Sequence, residues 1–392
     1  MQFSSLPIPN FELCRYSTYQ GIQRGEIAMT TTNDNFNGIQ EYANDQGLKL
    51  DWIDQQGEWG VKASADGQKG LTLSDVQIGS YGDPAPKSDN MTGRPRGAAP
   101  RPNAYRIGGY HVRTKSDIWL VNASMLYEEA LQRQWSSATD VPWHTIRPLP
   151  DDVERAQCQL ATFLTEVEFV AADVPGRWVA STSPDYFEPR MFLITQIMDE
   201  SRHLDVFRKR ALANGGGLMQ RPNVTTSGVV GSIDLSRDFT EMSSRLHISG
   251  EGAVLTIFRM GELMAYNEAE KRIYRLAAQD ESRHVAFGVM HMRYLAETEP
   301  ERKEEVHEYL DEGERALVAG NQNPAARDTA QSEALAVLLG GGEKNYDEGY
   351  RKLLAIRKRQ AKEYVQRIRS AGFGERFENG RALPELMEYV KN

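Results

Sequence analysis

The spacing of apolar and polar positions changes character near residue 115. Upstream, 58–63 and 71–78 alternate apolar and polar residues between Gly and Asp, which predicts short strands with one exposed face. Residues 82–103 hold five of the chain's 17 prolines among Gly, Asn and Asp, so an irregular linker or wrapping loop is expected. Downstream the period becomes helical. Ser116 and Asp117 can cap a helix over 116–136, with Ile118, Trp119, Met125, Leu126 and Leu131 as apolar positions. Pro148 and Pro150, followed by Asp151, Asp152 and Glu154, start a second helix that is expected to run to 174, where Pro175-Gly176 interrupts it. A third is predicted over 190–213, stopped by Asn214 and three glycines and blurred at its start by Pro184 and Pro189. After a glycine-rich crossing over 215–238, a fourth and a fifth cover 239–264 and 267–298. Further helices follow Pro300, among them a charged one over 346–370.

The expected organisation is an irregular, β-containing N-terminal region (1–115), a helical body (116–299) and a C-terminal helical extension (300–392). The fold class is mainly α, a helical bundle with a partly β N-terminal region. The chain's 392 residues, 40% hydrophobic and 26% charged, suit an ordinary globular protein. A net charge of −9 offers no basic surface for phosphates, so nucleic acid is not an expected partner. No apolar run reaches the roughly 18 residues of a membrane span, and the first 15 residues lack a secretory signature. Cys14 and Cys158 are the only cysteines, which fits a reducing cytoplasm better than a disulfide framework.

Two identical pentapeptides change this picture. Asp-Glu-Ser-Arg-His occurs at Asp199–His203 and again at Asp280–His284. Each copy holds a Glu and a His three positions apart, which on a helix share one face about 4.5 Å apart along the axis. A carboxylate and an imidazole so placed can bind one metal ion. Each motif helix then needs a further carboxylate from a neighbour. Ahead of Glu281 the candidate is Glu251, a lone acid on a stripe with Ile248, Leu255 and Phe258; a buried carboxylate implies a cation. Ahead of Glu200 the candidates are Glu166 and Glu168, about 200° apart around the axis. Glu166 shares the polar face of Arg155, Gln159, Thr162 and Asp173, whereas Glu168 shares that of Ala161, Leu164, Thr165, Ala171 and Ala172. The faces select Glu168. The expected ligand and catalytic set is Glu168, Glu200, His203, Glu251, Glu281 and His284, a mixture of oxygen and nitrogen donors that suits iron or manganese better than a closed zinc site. Of the other histidines, His291 lies two turns beyond His284, His247 reads as a hydrogen-bonded neighbour of Glu251, and His111, His144 and His307 read as structural or exposed.

On the two pentapeptides and the Glu168-Phe169 pair, the region 118–298 resembles the ferritin-like diiron-carboxylate oxygenases and oxidases, including bacterial multicomponent monooxygenase hydroxylases. The resemblance implies a ferritin-like bundle holding two iron ions, with manganese an option in one or both sites. It implies O2 activation and hydroxylation or epoxidation of a small organic substrate, aromatic ones included, with electrons from a ferredoxin or reductase, in a homodimer. It further implies a crossed pairing in which Asp199 accepts from His284 and Asp280 from His203, with Arg202 and Arg283 beside these acids. Phe207 stands where radical-generating relatives carry Tyr, which disfavours a tyrosyl radical. Ala277 stands where arylamine N-oxygenases carry an extra His, and Leu255, next to Thr256, where multicomponent hydroxylases usually carry Thr. An N-oxygenase or desaturase-type oxidase, and an iron-binding or storage protein, are the alternatives. Ala161, Leu164, Phe169, Ile197, Phe207, Leu255 and Phe258 line either a substrate pocket or the core.

Overall fold

The computed structural model describes residue 53 and residues 63–220, 229–322 and 330–391. Residues from Gly57 onward form one compact unit. Its long helices are α1 (Ala123–Gln132), α2 (Asp151–Ser181), α3 (Phe187–Leu212), α4, α5 (Glu268–Thr298), α6 (Lys303–Gln322), α7 (Ala330–Gly340) and α8 (Tyr346–Ser370). Helix α4 is composite: an α-helical start (Phe239–Ser243), a π-helical stretch (Ser244–Gly250) and an α-helical run (Glu251–Met264).

Helix α2 lies along α3 and α4 along α5, each pair joined by a short turn, and α3 touches α5. The pairs are antiparallel: Cys158 Sγ meets the Ala211 carbonyl near the far end of the first pair, and Gly261 backs onto the ring of Tyr274 in the second. This is the ferritin-like arrangement, in which facing side chains of the bundle meet in its interior. Buried apolar layers fill the bundle on both sides of the motif region. One gathers Leu160, Leu164, Phe207, Phe258 and Tyr274; the other gathers Ile118, Phe192, Phe239 and Phe287. No helix among the described residues is long and apolar enough to cross a membrane.

Capping explains several boundaries. The Asp238 side chain accepts from the Glu241 amide at the start of α4, and Asn267 accepts from the Glu270 amide at the start of α5. Pro175, expected to end α2, lies inside it. A proline there forfeits one backbone hydrogen bond, but Pro175 is itself buried and α2 stays packed along α3 beyond it. Pro189 sits in the first turn of α3, where amides lack helical partners in any case. The first helix is shorter than expected, because the consecutive residues Ile118, Trp119 and Leu120 are all buried, which one helical face cannot achieve.

The strand expected over 71–78 is instead a single helical turn, Leu73–Val76. Asp75 accepts from both the amide and the hydroxyl of Thr72, at 2.8 and 2.7 Å, and among the described residues no strand competes for the backbone. The other expected strand, 58–63, falls outside the described residues except for Ala63. Among the described residues the only extended pairings are isolated bridges, such as Lys87 with Thr114 and Val112 with Thr182. Residues 82–114 wrap the turn between α2 and α3: Tyr186 donates to backbone carbonyls of this stretch, and Arg96 pairs with Glu188. At the other end, α7 packs on α2 and α8 on α4, so the C-terminal extension is a layer on the bundle.

Candidate metal centre

The bundle brings all six expected ligands together. Glu168 comes from α2, Glu200 and His203 from α3, Glu251 from α4, and Glu281 and His284 from α5; all are buried. One donor atom from each of Glu168, Glu200, His203 and Glu281 lies within 4.8 Å of the others, and the same holds for Glu200, Glu251, Glu281 and His284. Glu200 and Glu281 belong to both quartets. They stand in the middle, with Glu168 and His203 on one side and Glu251 and His284 on the other.

Both imidazoles turn Nδ1 inward. His203 Nδ1 lies 3.0 Å from Glu200 and 3.3 Å from Glu281; His284 Nδ1 lies 2.9 Å from Glu251, 3.0 Å from Glu200 and 3.3 Å from Glu281. Each Nε2 faces the Asp of the opposite motif: His203 reaches Asp280 at 3.2 Å and His284 reaches Asp199 at 3.3 Å. The pairing is crossed. Arg283 Nη2 donates to Asp199 at 2.9 Å and to Asp280 at 2.5 Å, while Arg202 Nη2 donates to Asp199 and lies 3.3 Å from Asp280. The duplicated motif thus builds a buried quartet of two acids and two arginines against the outer nitrogens of both histidines.

Glu166 is only half-buried and belongs to neither quartet, whereas Glu168 is 2% exposed, as the helix faces indicated. His247 serves Glu251 indirectly. Gln196 Nε2 donates to Glu251 Oε1 at 2.9 Å, and Gln196 Oε1 meets His247 Nε2 at 3.1 Å. His291 bonds the Trp119 carbonyl and Thr240, His111 and His144 are exposed, and His307 pairs with Glu375. Phe169 is 53% exposed, and Ile197 is only half-buried. Leu164, Phe207 and Phe258 sit in the apolar layer beside His203, with the Phe258 ring 6.3 Å from the imidazole. Thr256 turns toward α8 and donates to Glu363 at 2.6 Å.

Two neighbours went unmarked in the sequence. Gln196 lies one turn before Glu200 on the same helical face, a position that could have flagged it. Trp135 lies in the irregular segment after α1, where no period points inward, yet its Nε1 donates to Asp280 at 2.7 Å and its ring stacks 6.2 Å from His203.

Electrostatics show what such a pocket demands. Burial and the neighbouring Glu200 charge push Glu168 well above the usual carboxylate range, and burial and Glu281 do the same to Glu251. Burial opposes the charge of Glu281 too, but hydrogen bonds with Glu251, His203 and His284 hold it well below that range. Both imidazoles are raised against the effect of burial, His203 by bonds to Asp280 and Glu200, His284 by the charges of Glu251 and Glu200. Protons are therefore retained where four carboxylates crowd together. Even so, Glu168 Oε1 and Glu200 Oε1 are buried without a hydrogen-bond partner. His284 Nδ1 lies near the latter, but not in hydrogen-bonding geometry. Buried carboxylate oxygens lacking donors, aimed at a ring of oxygen and nitrogen ligands, fit two divalent cations.

No protein-family model matches the chain, and no curated protein matches it. Among solved structures, it is similar to a point variant of an R2-like ligand-binding oxidase with an aerobically reconstituted Mn/Fe cofactor. The identity is 16%, the TM-score 0.46, and the match covers 63% of this chain and 92% of that one. An R2-like ligand-binding oxidase with an aerobically reconstituted metal cofactor after photoconversion matches over the same shares at 16% identity and a TM-score of 0.44.

Proposed function

We propose that this chain is a dimetal oxidoreductase that uses O2 to oxidise a small organic substrate. The observation that carries the reading is the pair of buried quartets sharing Glu200 and Glu281. Glu168 and His203 would hold one ion and Glu251 and His284 the other, with Glu200 and Glu281 available to both. Iron in both places is the first assignment, with manganese an option in either. Two such ions supply electrons to O2 when reduced, which no side chain of this chain can do alone.

The protein's share is orientation and exclusion of water. Asp199 and Asp280 fix each imidazole with Nδ1 inward and the proton on Nε2. The apolar layers around Phe192 and Phe258 keep the centre dry. Four ionised carboxylates balance the charge of two divalent ions, which makes burial of the set tolerable. With Phe207 packed against Phe258 and Tyr274, no phenol occupies the position expected of a radical-forming tyrosine. Monooxygenation would place one oxygen atom in the substrate and release the other as water, with two electrons from an external ferredoxin or reductase.

The test is elemental analysis combined with O2 uptake by the chemically reduced protein. About two iron or manganese ions per chain and stoichiometric O2 consumption are expected. A protein that holds two ions yet leaves O2 untouched would refute the redox reading and leave a metal-binding protein.

A further inference from the structure

Glu168 and Glu251 occupy matching places on either side of the shared carboxylates, yet their remaining oxygens meet different surroundings. Glu168 Oε1 is buried with no hydrogen-bond partner. Glu251 Oε1 accepts from Gln196 Nε2 at 2.9 Å, while Glu251 Oε2 points inward, 2.9 Å from His284 Nδ1. Because Gln196 commits its amide N–H to that carboxylate, its Oε1 requires a donor, and His247 Nε2 stands 3.1 Å away. This places the imidazole proton on Nε2, so Nδ1 accepts from the Ser243 hydroxyl at 2.8 Å.

The chain Ser243–His247–Gln196–Glu251 is buried throughout. Three of its members lie on α4, with His247 inside the π-helical stretch and Glu251 immediately after it. The surroundings are shaped for the imidazole. A Cβ added to Gly288 of α5 would stand 2.4 Å from His247 Cβ, so a larger residue there would displace the ring. The edge of Phe287 covers another side, with ring centres 5.3 Å apart. A polar chain so enclosed, with each donor matched to an acceptor, holds its terminal carboxylate in one orientation.

Resting on the dimetal reading above, we propose that Gln196 restricts Glu251 to binding through Oε2 alone and so makes the two metal positions unequal. The position beside Glu168 and His203 has a carboxylate whose Oε1 is committed to no other side chain. The position beside Glu251 and His284 is one protein oxygen poorer. It is the side that keeps a place for an exogenous oxygen ligand, such as water or O2. Gln196 is a positioning residue here, and His247 supports it.

Manganese(II) binding to the full chain, followed by calorimetry and electron paramagnetic resonance, tests this without relying on turnover. The parent should bind two ions. Gln196→Met, close in size but without the N–H, frees Glu251 Oε1 for the cation, so one ion should bind several-fold more tightly while the other stays within twofold. His247→Leu should tighten the same ion to a smaller degree. His247→Gln, which keeps an N–H for Gln196, should return to parental binding; a purely structural role would show no such rescue. Both ions unchanged in Gln196→Met, or either ion weakened, would overturn the proposal while leaving the dimetal reading intact. Should Gln196→Met not fold, the contrast between His247→Leu and His247→Gln decides the matter by the same criterion. A parent that binds fewer than two ions would overturn the dimetal reading itself, and the inequality with it.

Discussion

Replacing Asp280 by Asn isolates the crossed pairing. Asp280 sits in the motif that supplies Glu281 and His284, but its carboxylate meets His203 of the other motif at 3.2 Å. It also accepts from Trp135 at 2.7 Å and from Arg283 at 2.5 Å. Burial alone would raise this carboxyl, yet the bond to His203, the His203 charge and then the Arg283 charge hold it below the usual range. Asn keeps the shape and removes the charge. The His203 ring then faces a neutral amide in place of the charged acceptor that raises its basicity, a change that typically lowers metal affinity 10–100-fold, or roughly 1.4–2.7 kcal/mol. The loss should fall on the ion held by Glu168 and His203, although the substituted residue is next to Glu281. Asp199→Asn should weaken the other ion, held by Glu251 and His284. Both variants should also lose stability, because Arg202 and Arg283 stay buried with half their counter-charge; breaking a buried pair commonly costs about 3–5 kcal/mol, an upper figure here because one acid remains. Metal titration with two resolved binding steps, alongside a thermal melt, reads both effects. If each variant weakens the ion of its own motif, the crossed assignment is wrong. If both bind two ions with parental affinity, these aspartates do not support the ligands at all.

Further outcomes follow from the same geometry. Glu168→Gln should remove one ion and O2 uptake, whereas Glu166→Gln should change neither; the reverse pattern in metal analysis would undo the face argument. Loading the metal-free protein should release protons, since Glu168, Glu251, His203 and His284 are all raised, so affinity should fall with falling pH; calorimetry in buffers of different ionisation enthalpy would detect a lack of release. These raised groups stabilise the metal-free fold below their unfolded values, about 4.3 for Glu and 6.5 for His, and the gain is lost as pH rises through the higher folded values. The metal-free melting temperature should therefore decline above neutrality, and a flat profile would contradict the raised shifts. Gly252→Ala would bring a Cβ within 2.3 Å of the Arg367 guanidinium, which donates to the Ile248 carbonyl inside the π-helical stretch, and should cost about 1–3 kcal/mol in a thermal melt. Adding Arg367→Ala should recover part of that loss; no recovery would place the clash elsewhere.

The meeting of the six candidate residues was legible because helices repeat. Two Glu-x-x-His pairs need only the helical period to present a carboxylate and an imidazole on one face, and the same period separates Glu168 from Glu166 by about 200°. What the period does not encode was hidden. Pro175 reads as a stop, and only the unbroken packing of α2 on α3 shows why the helix continues. Trp135 reaches Asp280 from outside any regular element. The alternation over 71–78 promised a strand, but the local bonds between Thr72 and Asp75 prevailed.

The π-helical stretch of α4 bears most on function and was the least visible. Ser243, His247 and Glu251 are spaced by four, which suits ordinary α-helix, so nothing in the spacing reveals that the amide of Glu251 bonds five residues back to Leu246. The two copies of the pentapeptide contribute equivalent groups from α3 and α5, and by themselves they generate a centre with matched halves. Their flanking acids come from unlike helices. Helix α2 delivers Glu168 on a regular α-helical face and leaves Oε1 without a partner, whereas α4 delivers Glu251 just after the π-helical stretch with Oε1 tied to Gln196. The duplicated motif thus supplies two matched halves, and the inequality between them comes from outside it.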